Sequence, residues 1–275
     1  MKKLLAAIAV GTFALAGCSG SGADSAQDDT FTVGMECGYQ PFNWQTSDAQ
    51  TDSAVEISGG GGYCDGYDVM MSQAIADELG QKLEVKKISW DGLQPALDSG
   101  EIDAIVAGMT ASDEREEGID FTTPYYESEG MVMIVRADSE MANYTDIQDF
   151  SGHKVIGQKN TNYDTVIDQI EGVDHQTPLA TYPELVAALQ NGVADGITAE
   201  MPVAEGVVAA NPGLAIVQFE DGHGFEVDTT VSIGLKEGTR DSDFFKSVQD
   251  ALDSISQDTR NEYMKTAVEN APTEE

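Results

Sequence analysis

The chain has 275 residues and carries 49 acidic against 14 basic side chains, a formal net charge of −35. So few cations could not neutralise a phosphate backbone, and the composition therefore excludes nucleic acid as a partner. The acidic residues are spread along the chain rather than grouped in blocks, which is typical of a solubilising surface. The length suits one large core or two of ordinary size.

The first 18 residues have the features of an export signal. Two lysines precede a mostly apolar run over 4–16, which is too short to span a bilayer. The run ends in Leu-Ala-Gly-Cys18, which resembles a lipobox, where the cysteine is diacylated and becomes the mature amino terminus. The sequence predicts a lipoprotein signal peptide over 1–17 and a flexible Ser/Gly-rich tether over 18–29. An ordinary secretory signal with a chance cysteine is the alternative.

Apolar periodicity after the tether predicts strands alternating with helices. Predicted strands cover 31–35, 83–88, 102–107 and 131–136, and predicted helices cover 68–79, 92–98 and a short segment capped by Ser112. The segment 102–107 is almost continuously apolar, as in a strand buried on both faces.

The second half of the chain continues the alternation. Predicted strands cover 154–157, 214–219 and 230–235, and predicted helices begin near Thr161 or Asn162, after the Thr181/Glu184 capping box, at Pro202 and around Phe245. The strand over 131–136 could leave a first lobe and the strand over 230–235 could return to it. Two crossing strands of this kind have the geometry of a hinge.

Two segments 92 positions apart carry one residue skeleton. Leu93, Ala96, Leu97, Gly100, Asp103 and Ile105 recur with identical spacing as Leu185, Ala188, Leu189, Gly192, Asp195 and Ile197. Each segment reads as a helix that a glycine ends and a buried strand follows. The repeat predicts two similar α/β lobes, one over 30–134 plus 230–275 and the other over 135–229.

Ligands of open α/β sheets bind beyond the carboxyl ends of the strands. That rule gathers polar residues of both lobes around one cleft: Glu36, Thr110, Ser112, Arg115, Asn160, Thr161, Asn162 and Glu200. Arg115, near a helix start, suits a carboxylate, and Glu200 suits an ammonium group. A small zwitterion such as an α-amino acid would satisfy both.

Each candidate also has a plain structural interpretation. Arg115 could pair with its glutamate neighbours on a solvated helix, and Glu200 could serve only a helix dipole. Trp90 and Tyr39 could be core aromatics, and Glu36 could lie on the surface. The histidines show no metal-ligand spacing and no calcium-loop pattern occurs, so the sequence predicts neither a metal nor a cofactor.

Cys37 and Cys64 form an even pair once Cys18 is assigned to lipidation. An exported protein resides in an oxidising compartment, and their spacing does not resemble a metal site. The sequence predicts a disulfide between them, which would tie down the polar insertion over 47–62.

Several motifs together resemble one family. They read WDGLQPAL at 90–97, GEIDAI at 100–105, GMTASDER at 108–115, IDFTTPYY at 119–126 and GYDV at 66–69. In these motifs, and from about residue 31 to the carboxyl terminus, the chain resembles the family 3 solute-binding proteins of polar amino-acid ABC importers. The resemblance implies a type II periplasmic-binding fold, with two α/β lobes, a two-strand hinge and closure on the ligand.

The resemblance also implies roles for individual residues. The carboxylate-binding arginine falls on Arg115, supported by Thr110 and the backbone around Gly108. The amine-binding acid falls on Glu200, one methylene longer than the usual aspartate. The remaining positions are an aromatic pair, an acid near the ligand side chain, and a loop that departs from the usual Gly-Thr/Ser-Thr at two of three positions: Tyr39 and Trp90, Glu36, and Asn160-Thr161-Asn162.

The expected function is that of a monomeric, lipid-anchored receptor at the outer face of the cytoplasmic membrane or in the periplasm. It would bind a polar L-amino acid and present it to an ABC permease driven by a separate ATPase. Glu36 favours side chains that donate hydrogen bonds, such as those of glutamine, asparagine, histidine, arginine or lysine. The alternatives are a dehydratase-like enzyme that uses Glu36 or Glu200 as acid or base, and a ligand sensor.

Overall fold

The computed structural model describes residues 29–128 and 130–272. The predicted signal peptide, Cys18 and all but the last residue of the predicted tether lie outside these residues. Within the described ranges, no helix is both long enough and apolar enough to cross a membrane.

The strands and helices follow one another in the order that the periodicity predicts, with several short additions. The strands are β1 (Thr30–Met35), β2 (Gly38–Tyr39), β3 (Asn43–Thr46), β4 (Val55–Glu56), β5 (Tyr63–Asp65), β6 (Lys82–Lys87), β7 (Ala104–Ile105), β8 (Ile119–Phe121), β9 (Tyr126–Glu127), β10 (Met131–Arg136), β11 (Lys154–Ile156), β12 (Asp174–His175), β13 (Gly196–Glu200), β14 (Leu214–Val217), β15 (Thr230–Val231) and β16 (Gly234–Lys236). The α-helices are α1 (Tyr67–Leu79), α2 (Leu93–Ser99), α3 (Asp113–Glu116), α4 (Asn162–Thr165), α5 (Tyr182–Gln190), α6 (Met201–Ala210), α7 (Asp243–Ser254) and α8 (Gln257–Asn270). Short 3-10 helices cover Trp90–Gly92, Glu140–Asn143, Ile147–Phe150 and Val166–Gln169.

Two five-stranded sheets form the centres of two lobes. The first sheet has the order β6-β1-β7-β16-β8, and the second has the order β12-β11-β13-β10-β14. In the first, β1 runs parallel to β6 and β7, and β16 is antiparallel to β7 and β8. In the second, β11 runs parallel to β12 and β13, and β10 is antiparallel to β13 and β14. The α/β two-lobed architecture expected from the repeat is confirmed.

A two-stranded antiparallel ribbon of β9 and β15 joins the lobes. The chain leaves the first sheet after β8, passes through β9 and enters the second sheet at β10. It returns from β14 through β15 to β16. The hinge is therefore made of two crossing strands, but β10 lies wholly in the second sheet, so the crossing occurs earlier than the predicted strand over 131–136.

The repeated units occupy equivalent places in the two lobes. Helix α2 ends at Gly100 and precedes β7, whereas α5 ends near Gly192 and precedes β13; both glycines have a left-handed backbone, with φ of 76° and 70°. The predicted strand over 102–107 is paired only at β7, because the chain then turns away toward the cleft at Gly108. Thr181 and Glu184 form the predicted capping box of α5.

Short strands such as β8 and β12 lack a counterpart in the sequence prediction, and so do two larger parts of the fold. The segment after β1 forms a small sheet with the order β2-β3-β5-β4, and a final helix, α8, follows α7. The predicted disulfide is formed: Cys37 and Cys64 are bonded with their Cα atoms 5.6 Å apart. It fastens the start of the small sheet to β5 and so holds the residues on either side of Cys37.

Candidate functional site

A cavity with about 350 Å³ of space not filled by protein atoms lies between the two lobes. Its lining comes from strand ends, loops and short helices of both lobes: Glu36, Tyr39, Trp90, Gly108, Thr110, Arg115, Gln158, Thr161, Asn162, Tyr163 and Glu200. The structure thus brings together the residues of the predicted ligand site except Asn160, which contacts two of the lining residues, and Ser112, which caps α3.

Arg115 presents a charged guanidinium group to this cavity. It lies in α3, whose capping residue Ser112 accepts a hydrogen bond from the Arg115 backbone N–H at 3.4 Å. Nη1 donates to the carbonyl oxygen of Thr110 at 2.9 Å, and Nη2 donates to that of Asn160 at 3.1 Å. Burial lowers the pKa of Arg115 to about 10, so the group stays charged at neutral pH. Across residues 29–128 and 130–272, no carboxylate forms a salt bridge with it.

Trp90 and Asn160 surround the guanidinium group. Its Cζ atom lies 5.1 Å from the centre of the Trp90 ring, within the range of a cation–π contact. The indole Nε1 of Trp90 donates to the same Asn160 carbonyl at 3.1 Å. Asn160 has φ of 60°, a left-handed conformation that asparagine tolerates better than most residues. The sequence departure from glycine at this loop position therefore preserves a backbone that suits glycine.

Asp91 links the lobes at the edge of the cavity. One of its oxygens accepts from Lys159 Nζ at 2.8 Å, and the other accepts from the Asn160 side-chain amide at 2.7 Å. Hydrogen bonding by Lys159 holds the pKa of Asp91 below its usual range. We call these three residues the Asp91 clasp. Together with the bonds that Arg115 and Trp90 make to Asn160, the clasp holds the lobes closed.

Glu200 forms the opposite wall, at the end of β13. The residue is only 4% exposed, and its Oε2 atom is buried with no hydrogen-bond partner in the described part of the chain. Burial, with a smaller repulsion from Asp228, raises the pKa of Glu200 to about 8. A buried carboxyl group without a cation is stable only when protonated. This environment therefore favours the neutral, protonated form of Glu200.

Three tyrosines pack beside Glu200. The hydroxyl groups of Tyr39 and Tyr163 share a hydrogen bond across the lobes, and the Glu200 backbone N–H donates to the Tyr163 hydroxyl at 3.3 Å. The Tyr182 ring centre lies 5.8 Å from that of Tyr39 and 5.7 Å from that of Tyr163. Burial raises the pKa of all three phenols well above the ordinary value, so none supplies a charge to Glu200.

Position 108 requires glycine, because its backbone is left-handed and lies against the ring of Tyr39. Its φ is 60°, and a Cβ atom there would lie 2.8 Å from Cε1 of Tyr39. The Gly108 N–H donates to the hydroxyl of Tyr125 at 3.1 Å, and that hydroxyl donates to buried Asp68 at 2.6 Å. The loop that leads to Thr110 and Arg115 is thus braced from behind by a hydrogen-bond chain.

Glu36 and Gln158 close one end of the cavity. The Gln158 amide nitrogen donates to Glu36 Oε2 at 3.3 Å and to the carbonyl of Ala180 at 3.1 Å. Burial raises the pKa of Glu36, and the Gln158 bond partly offsets that rise. Because Glu36 comes from the first lobe and Ala180 from the second, Gln158 bridges the two.

The hydroxyl and amide groups of the predicted second-lobe loop are largely engaged within the protein. Thr161 caps α4, accepting from the Tyr163 N–H at 3.1 Å and donating to the Gln158 carbonyl at 2.8 Å. Asn162 donates weakly to the Asp228 carbonyl at 3.4 Å. Both residues line the cavity, but the polar groups of their side chains are used mainly in hydrogen bonds within the protein.

Gln158 and Tyr163 are lining residues that the sequence prediction missed. Gln158 follows the end of β11 by two positions, so the strand-end rule that selected Asn160 could also have found it. Tyr163 lies one residue into α4 and looks like an ordinary helix aromatic in the sequence. Among the residues that the structure describes, no group of three or more His, Cys, Asp or Glu side chains could hold a metal ion.

Comparisons with known proteins agree with the geometry. Residues 31–267 match the family model of bacterial extracellular solute-binding proteins, family 3. A probable histidine-binding protein from Campylobacter jejuni is 30% identical over 198 residues, which cover 71% of this chain and 70% of the relative. An L-cystine-binding protein from Escherichia coli K12 is 31% identical over 231 residues, which cover 83% of this chain and 78% of the relative.

Solved structures show the same architecture. An amino acid ABC transporter substrate-binding protein from Streptococcus pneumoniae, bound to L-arginine, superposes with a TM-score of 0.75 at 25% identity. The match covers 90% of this chain and 97% of that one. An ancestral arginine-binding protein bound to arginine superposes with a TM-score of 0.70 at 27% identity, covering 86% of this chain and 97% of that one.

Proposed function

Because the chain belongs to the family 3 bacterial extracellular solute-binding proteins, we propose that it binds a polar L-amino acid between its lobes. In this proposal the closed, loaded protein delivers the ligand to an ABC permease that a separate ATPase drives. A lipid on Cys18 would hold the protein at the outer face of the membrane. The observation that carries the ligand assignment is the pairing of Arg115 and Glu200 on opposite walls of one closed cavity.

The two walls match the two ends of a zwitterion. The guanidinium of Arg115 has no carboxylate partner in the described ranges, and a ligand carboxylate would supply one through charge-assisted hydrogen bonds. The unpartnered Oε2 of Glu200 would accept from the ligand ammonium group and lose its proton. A ligand that bridges both lobes stabilises the closed state, because only the closed state offers both contacts.

The relatives support an amino-acid ligand with a polar side chain. Their names specify histidine and L-cystine, and the solved structures hold L-arginine. In this chain the side chain of the ligand would extend toward Glu36 and Gln158. An acceptor carboxylate and an amide at that end favour side chains that donate hydrogen bonds.

The ligand is first identified by thermal shift with the twenty L-amino acids and the chain lacking residues 1–18. A tight ligand at saturating concentration raises the free energy of unfolding by several kcal/mol, which makes it stand out from weak binders. We expect stabilisation by amino acids with hydrogen-bond-donating side chains. The absence of any shift across the panel would overturn the proposed function.

Arg115→Ala then tests the carboxylate contact by calorimetry. We expect affinity to fall at least about tenfold, because a charge-assisted hydrogen bond contributes about 1.5 to 3 kcal/mol. The affinity of Arg115→Lys should lie between those of wild type and Arg115→Ala, since lysine keeps the charge but lacks the planar guanidinium group. Arg240→Ala is the matched control, because that half-exposed arginine pairs with Asp120 and lies outside the cavity. Unchanged affinity in Arg115→Ala would contradict the assignment.

Turnover separates the binding protein from the dehydratase-like alternative. After prolonged incubation with the protein, NMR of the recovered ligand should show an unaltered amino acid. Accumulation of a product with time and with protein concentration would favour the enzyme.

A further inference from the structure

A larger open groove lies directly beyond one end of the ligand cavity. It has about 1350 Å³ of space not filled by protein atoms, and it shares Glu36 and Trp90 with the cavity. Its first-lobe side includes the loop with Gly60 and Gly61, and its second-lobe side includes Ala180 and Thr181. Cavity and groove therefore meet across Glu36.

Gln158 stands between these two spaces. Its amide nitrogen donates to Glu36 at 3.3 Å and to the Ala180 carbonyl at 3.1 Å, and both of those residues line the groove. Gln158 itself lines the cavity and is only 3% exposed. Its side chain thus spans from one lobe to the other where the cavity would otherwise open into the groove. We call Glu36 and Gln158 the end wall.

We propose that the end wall sets the maximum length of the ligand side chain, with Gln158 as the specificity-determining residue, and that the groove is an extension subsite for longer amino acids. The inference rests on the proposed function, since it requires an amino acid held by Arg115 and Glu200. An α-amino acid so oriented directs its side chain at Gln158. Truncating Gln158 removes the barrier and leaves Glu36 in place to accept a hydrogen bond from the side chain as it passes.

The groove has the chemistry to hold a polar extension. Lys87 and Lys159 supply cations, and Glu36 and Asp91 supply carboxylates. Lys159 and Asp91 are each half-exposed, so the groove is open to water and a polar group there keeps its hydration. Extended amino acids with an amide or guanidinium near the end of the side chain fit this lining better than purely apolar ones.

The test compares parent and extended ligands in wild type, Gln158→Ala and Gln158→Asn. The pairs are L-glutamine with its N-ethyl amide, L-lysine with Nε-acetyl-L-lysine, and L-arginine with L-homoarginine, each measured by calorimetry. We expect wild type to prefer the parent at least about tenfold, and Gln158→Ala to reduce that preference at least about tenfold. Gln158→Asn should give a smaller reduction, because asparagine is one methylene shorter.

The quantity to compare is the ratio of the affinities for the parent and the extended ligand. A substitution that merely loosened the site would weaken the binding of both ligands alike and leave this ratio unchanged. Gln176→Ala is the matched control, because the side-chain amide of this second-lobe glutamine donates to the Asp174 carbonyl and the residue lines neither space. An unchanged ratio in Gln158→Ala, or equal binding of parent and extended ligand by wild type, would contradict the proposed role of the end wall but not the proposed function. A wild-type protein that binds none of the twenty amino acids overturns the proposed function and this inference with it, whereas one that binds others but none of these parents overturns this inference alone.

Discussion

The two walls of the cavity are prepared for a ligand in opposite ways. On the first lobe, the guanidinium of Arg115 already donates to two carbonyls and lies against Trp90, and it is charged before any ligand arrives. On the second lobe, Glu200 is buried with one oxygen unpartnered, and burial raises its pKa to about 8. The first wall already carries its charge, whereas burial favours the neutral form of the second.

This difference separates what each lobe contributes. A braced, charged wall costs little to reorganise when the ligand carboxylate binds. In the proposed function, Glu200 would lose its proton when the ammonium group of the ligand binds, so binding there would be linked to proton release. We therefore expect the first lobe to set the strength of binding and the second to set its dependence on pH.

Removing the disulfide is expected to have the largest effect on stability, and that effect falls on the first lobe. Cys37 and Cys64 are 27 positions apart, and on the chain-entropy model closing such a loop stabilises the protein by about 3 to 4 kcal/mol. Denaturant unfolding of the Cys37→Ser/Cys64→Ser double variant should show a loss of this size. Ligand affinity should fall as well, because Glu36 and Tyr39 flank Cys37. A double variant as stable as wild type would show that the small sheet needs no such brace.

Glu200→Gln tests the wall that charges on binding. Because burial raises the pKa of Glu200 to about 8, wild-type affinity should rise by up to about tenfold per pH unit between pH 6 and 8, as the cost of deprotonation disappears. The variant should bind more weakly at pH 8 and lose this slope. Calorimetry in buffers of different ionisation enthalpy should detect proton release with wild type only. If affinity depended on pH equally in the two proteins, Glu200 would not be the group that loses a proton on binding, and the proposed difference between the walls would be wrong.

The ligand-free stability of the same variant supplies its control. Burial raises the pKa of Glu200 above its ordinary value of 4.5, so between about pH 4.5 and 8 the native state keeps a proton that the unfolded chain has lost. Stability from this group is therefore lost as pH rises through that window. Glutamine does not titrate, so the melting temperature of the variant should rise relative to that of wild type as the pH rises from 5 to 8. Tyr39, Tyr163, Tyr182 and Asp228, the groups around Glu200, stay unchanged in this comparison.

The smallest effect is expected at the Asp91 clasp, which lies outside the lining of the ligand cavity. Asp91 and Lys159 are each half-exposed, and ion pairs of this kind contribute about 0.2 to 1 kcal/mol. Asp91→Asn should weaken ligand binding by up to about fivefold, and high salt should reduce the difference from wild type. The control is Asp98→Asn, which makes the same charge change at an exposed position of α2. Equal losses in the two variants would point to overall charge rather than to closure.

The sequence predicted what depends on local pattern. The spacing that joins Leu93 to Ile105 and recurs from Leu185 to Ile197 revealed both lobes, because helix period and glycine stops are local properties. The strand-end rule then selected Arg115 and Glu200, whose positions follow from where β7 and β13 end. The disulfide was also predicted, from the number of cysteines and the expected compartment.

The contacts that the sequence did not predict depend on how the lobes meet. Asp91 and Lys159 are 68 positions apart, and nothing local in either segment signals the other. Gln158 acquires its role only because Glu36 and Ala180 approach it from opposite lobes. The small sheet was missed because β2, β4 and β5 have only two or three residues each, too few for an alternating pattern. Tertiary packing, rather than propensity, decides such short strands.

Asn160 has a consequence for the rate at which a ligand leaves. Its carbonyl accepts hydrogen bonds from Trp90 and Arg115, and its side chain donates to Asp91, so three bonds between the lobes converge on one residue. Opening the lobes breaks all three together, which raises the barrier to escape without adding any contact to the ligand. We therefore expect this residue to act on the lifetime of the closed, ligand-bound protein, which is a property separate from the strength of the contacts to the ligand.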